Sequence, residues 1–210
     1  MSMEQRSAEW FSARLGRATA SRFKHAVARL KPKKGQDKGD PAQSRIDYAV
    51  ELLTERLTGQ PTPHFETAAM RWGTDNEPGA RIEYAWKREV EVEEVGFIAH
   101  PSLQVGASPD GLVGTDGGVE FKCPTSTTHI ETWLYGMDEE HLWQVQGAMW
   151  ITGREWWDFA SYDPRMPKQL QLYIQRVERD ESFIAAMDAE LREFIADVEK
   201  LEIILKEKSQ

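Results

Sequence analysis

Residues 108–124 read SPDGLVGTDGGVEFKCP, and this stretch decides the fold. Asp110-Gly111 and Asp116-Gly117-Gly118 are turn signals, because Asp and Gly reach chain-reversing conformations at little cost. The runs 111–113 and 119–122 are short and β-rich, and Pro124 ends the second. Alternate side chains of a strand share a face. Glu120 and Lys122 therefore point one way, while Val119 and Phe121 point into a core. A hairpin of this length brings Asp110, at its turn, beside Glu120.

Outward from that hairpin, 92–99 and 103–107 are further β-rich runs, and 156–162 and 170–177 alternate as strands do. Helical patterns flank them. Residues 7–16 form a short helix with Trp10, Phe11 and Leu15 inward, and a second begins near Thr19–Ser21 and stops before Pro32. Asp40-Pro41 supplies an N-cap and a first-turn proline for a helix with Ile46, Val50, Leu53 and Leu57 at helical spacing, ended by Gly59. Pro61 and Pro63 mark a linker. Further helices are expected over 67–86, 127–136, 139–152 and 180–207. The last carries a stripe of Phe183, Met187, Leu191, Phe194, Ile195, Val198 and Leu201. Residues 31–40 read as a mobile basic loop. With no internal repeat, the reading is one α/β domain over 1–210, a central mixed β-sheet flanked by α-helices.

The chain has 210 residues, enough for one sizeable core. A single cysteine, Cys123, excludes an intramolecular disulfide and multi-thiolate zinc sites and fits a reducing cytoplasm. No apolar run spans a bilayer, and 1–10 has no secretory h-region. The histidines at 25, 64, 100, 129 and 141 lack zinc-ligand spacing. Trp143, Trp150 and Trp157 fall in apolar patterns and read as core. The net charge is −9, yet residues 1–48 hold eleven Lys/Arg against five Asp/Glu. That basic quarter is either a polyanion-facing side or a solvated loop, and charge alone favours neither.

The hairpin carries the chemistry. Two adjacent carboxylates repel, and a hard divalent cation such as magnesium relieves the repulsion. Such a cation activates water and stabilises charge on a phosphate oxygen, while Lys122 adds a positive charge at the same place. Taken apart, Glu-x-Lys is an ordinary surface pair and Asp-Gly an ordinary turn. Their conjunction on a strand bounded by apolar residues is the specific signal.

Asp110…Glu120-Phe121-Lys122 resembles the core motif of the PD-(D/E)xK nuclease superfamily. Finer features resemble the lambda-exonuclease family of phage recombination nucleases, which includes YqaJ-like alkaline exonucleases. They are Trp10-Phe11-Ser12-Ala13-Arg14-Leu15-Gly16 leading to Thr19-Ala20-Ser21, Trp72-Gly73 before Glu77, Ser108-Pro109-Asp110-Gly111-Leu112, Glu120-Phe121-Lys122-Cys123-Pro124, Gln144-Val145-Gln146 with Met149-Trp150, and Tyr162-Asp163-Pro164-Arg165-Met166. The likeness is colinear from about residue 8 to about residue 200.

The resemblance implies roles. Asp110, Glu120 and the Phe121 carbonyl would hold metal, Glu77 would reach a second metal, Lys122 would be the catalytic lysine, and Gln144 would contact the nucleophilic water or the metal shell. Arg14, Ser21 and Ser108 match positions that hold a terminal 5′-phosphate, and Met70 matches an apolar wedge at the duplex end. The family has an aromatic where this chain has His141. Plainer readings stand beside these: Glu77 as a surface glutamate, Ser21 as an N-cap, Met70 as core, and Gln144 and Gln146 as amides bonded to backbone.

The implied function is a 5′-to-3′ exonuclease acting on one strand of linear double-stranded DNA. It would release mononucleotides, use two Mg2+ per active site with Mn2+ able to substitute, and work as a homotrimeric ring with a single-strand annealing partner. A structure-specific endonuclease and a non-catalytic DNA-binding module are the alternatives.

Overall fold

The computed structural model describes residues 4–63 and 65–209, so the histidine at 64 and the two termini lie outside it. The five-stranded sheet grows from the expected hairpin. Strand β5 (Gly111–Val113) pairs antiparallel with β6 (Gly117–Lys122), and β2 (Val92–Glu93) lies on the outer side of β5. Strand β7 (Trp156–Tyr162) runs parallel to β6, and β8 (Leu172–Glu178) closes the far edge antiparallel, giving the order β2-β5-β6-β7-β8. A smaller three-stranded sheet pairs β4 (Val105–Ala107) with β1 (Ala18–Thr19) and β3 (Ile98–Ala99). Both sheets are mixed, and helices flank them.

The reversal between β5 and β6 falls at 114–116, with Gly114 at φ +56, rather than on Gly117-Gly118. Those two glycines are strand residues. A Cβ on Gly117 would lie 1.9 Å from the Trp156 ring, and one on Gly118 would lie 2.4 Å from the Trp157 ring. Tryptophans on β7 thus occupy the space that side chains on β6 would need.

Two apolar clusters fill the two faces. On one, Val119, Phe121 and Ala160 pack with Tyr84 and Ala80 of α4 (Ala68–Arg88). On the other, a larger cluster joins Phe23 of α2 (Phe23–Ala26), Leu52 of α3 (Gln43–Thr58), Val145 and Met149 of α6 (Leu142–Thr152), and Met187, Leu191 and Phe194 of α7 (Glu181–Lys208). The short α1 (Ala8–Arg14) precedes β1, and α5 (Ser126–Tyr135) precedes α6. Trp157 is fully buried, and Trp143 and Trp150 pack against the core. Asp180 caps α7 as its side chain accepts from the Ser182 and Phe183 amides.

Two local expectations fail. α1 buries no residue, and Phe11 is 46% exposed. α3 is capped by Ala42 without a side-chain bond, and its Ile46, Val50 and Leu57 are exposed. Its inner face is Arg45, Tyr48, Ala49, Leu52 and Leu53 instead. The buried Arg45 donates to the Ala26 carbonyl and to Asp197 of α7, so a charge takes a place that apolar spacing would reserve for leucine. Residues 31–40 form no helix or strand, but Lys38 is ion-paired to Glu190 and Glu193 of α7.

Candidate active site

Asp110 immediately precedes β5, and its carboxylate accepts the Phe121 amide at 2.8 Å, which ties the hairpin turn to β6. Glu120, buried on β6, accepts from Lys122 Nζ at 2.6 Å and from the Gln144 amide of α6. Lys122 Nζ also donates to Gln144 Oε1 at 3.2 Å. The alternation of β6 thus delivers Glu120 and Lys122 to one face, and α6 lays Gln144 across both. Gln144 is a site amide, whereas Gln146 is bonded to backbone, at the Glu178 carbonyl and the Asp180 amide.

The electrostatics are under-compensated. Burial, then the neighbouring Glu120, hold the Asp110 carboxyl well above the usual carboxylate range. Burial alone would lower the Lys122 ammonium, but Glu120 and Asp110 outweigh it and the net shift is upward. One lysine therefore stands against two carboxylates. The Cys123 thiol is pushed up to about 12 by burial and by Glu77 and Asp110, so it stays protonated at neutral pH. His141 stacks on Phe159 with ring centroids 5.1 Å apart, and burial and Lys122 lower its pKa, keeping it neutral.

Glu77 and Met70, both on α4, line the same cleft, which also contains Thr74, Phe159 and Ser161. Met70 is 53% exposed, which removes its reading as a core residue. Glu77 faces Arg81 at 3.1 Å and Arg6 at 3.7 Å. Among the described residues no three His, Cys, Asp or Glu side chains converge as a ready metal cluster. The pair Asp110 and Glu120 nonetheless suits a hard cation: both donors are oxygens, and their mutual repulsion is what a cation relieves.

A second small cavity adjoins the first and is lined by Arg14, Ser21, Ser108, Glu120 and Gln144. Arg14 Nη1 donates to Ser108 Oγ at 2.9 Å, and its guanidinium lies 4.1 Å above the Trp10 ring. Trp10 Nε1 also donates to Ser108, at 3.0 Å. Among the described residues no carboxylate lies within ion-pair distance of Arg14, and burial lowers its pKa. Ser21 sits in a single 3-10 turn, 20–22, where it caps no helix, and its hydroxyl lies 3.3 Å from that of Thr19. A guanidinium without an acid partner, backed by two serines, is a place for an anion.

The wider basic quarter is largely quenched. Arg29 and Lys38 pair with Glu190 and Glu193, Arg45 with Asp197, Arg22 with Glu51 and Lys24 with Glu140. Sequence reading missed Trp10, taken there as core. Its place one helical turn before Arg14 was the available signal.

A mixed sheet flanked by helices carries a carboxylate pair and a lysine that line a cleft, beside a cavity with an arginine free of ion pairs among the described residues, and this arrangement suits phosphodiester cleavage. The chain belongs to the YqaJ-like viral recombinase family, whose domain matches residues 9–155. The alkaline exonuclease LHK-Exo from Laribacter hongkongensis is 43% identical, with TM-score 0.86 over 97% of this chain and 98% of that one. LHK-Exo in complex with dAMP superposes with TM-score 0.87 at 42% identity over the same shares. A phage-related exonuclease from Haemophilus somnus 129PT, 13% identical with TM-score 0.67 over 92% of this chain and 96% of that one, shares the fold. The protein ExoD of Escherichia coli K12 is 40% identical over 60 residues, 29% of this chain and 68% of that protein. With these relatives the chain is a nuclease. No described helix is long and apolar enough to cross a membrane.

Proposed function

We propose that this nuclease degrades one strand of linear double-stranded DNA from its 5′ end, with a divalent cation at Asp110 and Glu120. The observation that carries the reading is the under-compensated pair of buried Glu120 and half-buried Asp110 next to the Arg14–Ser108 pocket. Both cavities are lined by Glu120, so a phosphate held at Arg14 lies close to the carboxylates.

Asp110, Glu120 and the Phe121 carbonyl would hold magnesium, or manganese in its place, and Glu77 would take up a second ion after leaving Arg81. When bound, the two ions would activate water and neutralise charge on the phosphate oxygens. Lys122, already positive and fixed by Glu120 and Gln144, stabilises the growing negative charge at the phosphate. Gln144 orients both its neighbours and presents its amide to the water. Arg14, Ser21 and Ser108 grip the terminal 5′-phosphate, which at neutral pH carries more charge than an internal phosphodiester. Exposed Met70 meets the end base pair and parts the strands. The products are mononucleotides, the class to which the dAMP bound by LHK-Exo belongs. The 3′ single strand left behind would pass to an annealing recombinase, and a homotrimeric ring would keep the enzyme on its substrate.

The test is digestion of linear duplexes with and without a 5′-phosphate in magnesium, beside closed circular DNA. Rapid nucleotide release from the phosphorylated ends, intact circles and silence in chelator are expected. Cleavage of closed circles would replace the reading with an endonuclease.

A further inference from the structure

Arg6 combines three features that a surface arginine does not need. Its backbone sits at φ +68, and among the described residues only Glu89 is another non-glycine with positive φ. Left-handed backbone strains a residue with a Cβ and gathers at functional sites. The preceding side chain fixes the segment: Gln5 Nε2 donates to the Val95 carbonyl at 2.9 Å and to the Pro109 carbonyl at 2.7 Å. Pro109 adjoins Asp110, so Arg6 is held in register with the carboxylate pair. Ser7 then caps α1, whose Trp10 and Arg14 bond Ser108. One short segment thus brackets the loop Ser108-Pro109-Asp110 from both ends.

The Arg6 side chain lines the cleft with Met70, Thr74, Glu77 and Asp110. Its contact with Glu77 is 3.7 Å, too long for a hydrogen bond, and Glu77 already accepts from Arg81 at 3.1 Å. The side chain stays 54% exposed. Among the described residues Lys122 is the other Lys or Arg lining that cleft, and its ammonium is taken by Glu120 and Gln144. Arg6 is the cation with donors to spare. We propose that Arg6 binds a backbone phosphate of the DNA strand lying in the cleft, separately from the terminal phosphate at Arg14. This rests on the nuclease reading above.

The test is equilibrium binding of a fluorescent linear duplex to the full chain in calcium, with gels confirming that the duplex stays intact, across a potassium chloride series. Wild type should bind. Arg6→Ala should weaken binding roughly tenfold, as expected for a lost charge-assisted contact. It should also flatten the slope of log affinity against log salt by about 0.9, one duplex phosphate. Arg6→Lys should keep the slope. Arg6→Gly, which relieves the backbone, should lose the same affinity as Arg6→Ala while melting higher. Affinity and slope unchanged in both Arg6→Ala and Arg6→Gly, with only the melting temperature moving, would make Arg6 structural and overturn the proposal. A wild type that binds no DNA would overturn the nuclease reading itself.

Discussion

Two acidic sites lie on opposite faces of the same sheet, and they are built on opposite principles. Asp158 on β7, fully buried on the α4 face, accepts from Tyr84 Oη at 2.8 Å and from Arg176 at 2.8 and 3.2 Å, with Arg88 at 3.3 Å. Burial and Asp158 together push the Tyr84 phenol still further above its ordinary range, so it stays a donor. On the other face, Asp110 and Glu120 share one lysine and repel each other. A buried charge that is matched on every side is part of the architecture, and one left short of positive charge is waiting for a partner. The two regions therefore respond to mutation in opposite ways.

The sharpest separation comes from Asp110→Asn. The amide can still accept the Phe121 N–H, so the hairpin keeps its tie, but the charge proposed to hold a cation is gone. Turnover should fall on the order of a thousandfold or more, as several kcal/mol of transition-state stabilisation vanish. The metal-free variant should melt no lower than wild type, because a repulsion has been removed. Magnesium should raise the melting temperature of wild type by mass action and leave that of the variant unmoved. A variant that unfolds, or that keeps wild-type turnover, would break the comparison.

Asp158→Asn should do the reverse. It strands Arg176, Arg88 and the Tyr84 hydroxyl around an amide that cannot match them, which costs about 3 kcal/mol of stability. Chemical denaturation should show that loss, while activity per folded molecule should stay at the wild-type level. A loss of activity without a loss of stability would move Asp158 into the catalytic machinery.

Arg14→Ala sharpens the comparison from the side of the Arg14–Ser108 pocket. The preference for 5′-phosphorylated over 5′-hydroxyl ends should shrink by roughly 1.5–3 kcal/mol, the worth of a charge-assisted contact. Initial rates on the two ends report it. If the variant kept the wild-type ratio, the half-buried guanidinium would serve only to hold Trp10 and Ser108.

The strand of the candidate site was legible because its information is local. A turn, a period of two and a proline stop place Glu120 and Lys122 on one face without reference to the rest of the chain. Gln144 was legible only through resemblance, since nothing in an apolar helix says which amide meets a site and which, like Gln146, meets backbone. What escaped was set by distant partners. The inner face of α3 turns on Arg45, whose acceptors lie 19 residues before it and 152 residues after it. Arg6 was invisible because its meaning depends on the chain returning past Pro109.

The last and smallest effect separates the two kinds of carboxylate by pH. Asp163, at the end of β7, is held by Arg165 and Ser126, which overcome its burial and bring its pKa down from the ordinary 3.8 to about 2. A carboxyl with a depressed folded pKa stabilises the fold above its unfolded value and loses that contribution as pH falls toward the folded one. Asp163→Asn should therefore cost about 1–2 kcal/mol near neutrality, with the difference fading between about pH 4 and pH 2. Asp110 runs the other way. Its folded pKa is raised, so the metal-free protein is destabilised as pH rises from the ordinary 3.8 through the raised value. Asp110→Asn should give a gain that is absent in acid and grows toward neutrality. Urea unfolding of the metal-free proteins across that range measures both difference curves. Opposite signs at neutral pH, each converging on zero in acid, are expected. Curves of the same sign would mean that the Asp110 carboxylate is as well matched as that of Asp163, and the physical case for a cation at Asp110 and Glu120 would fail.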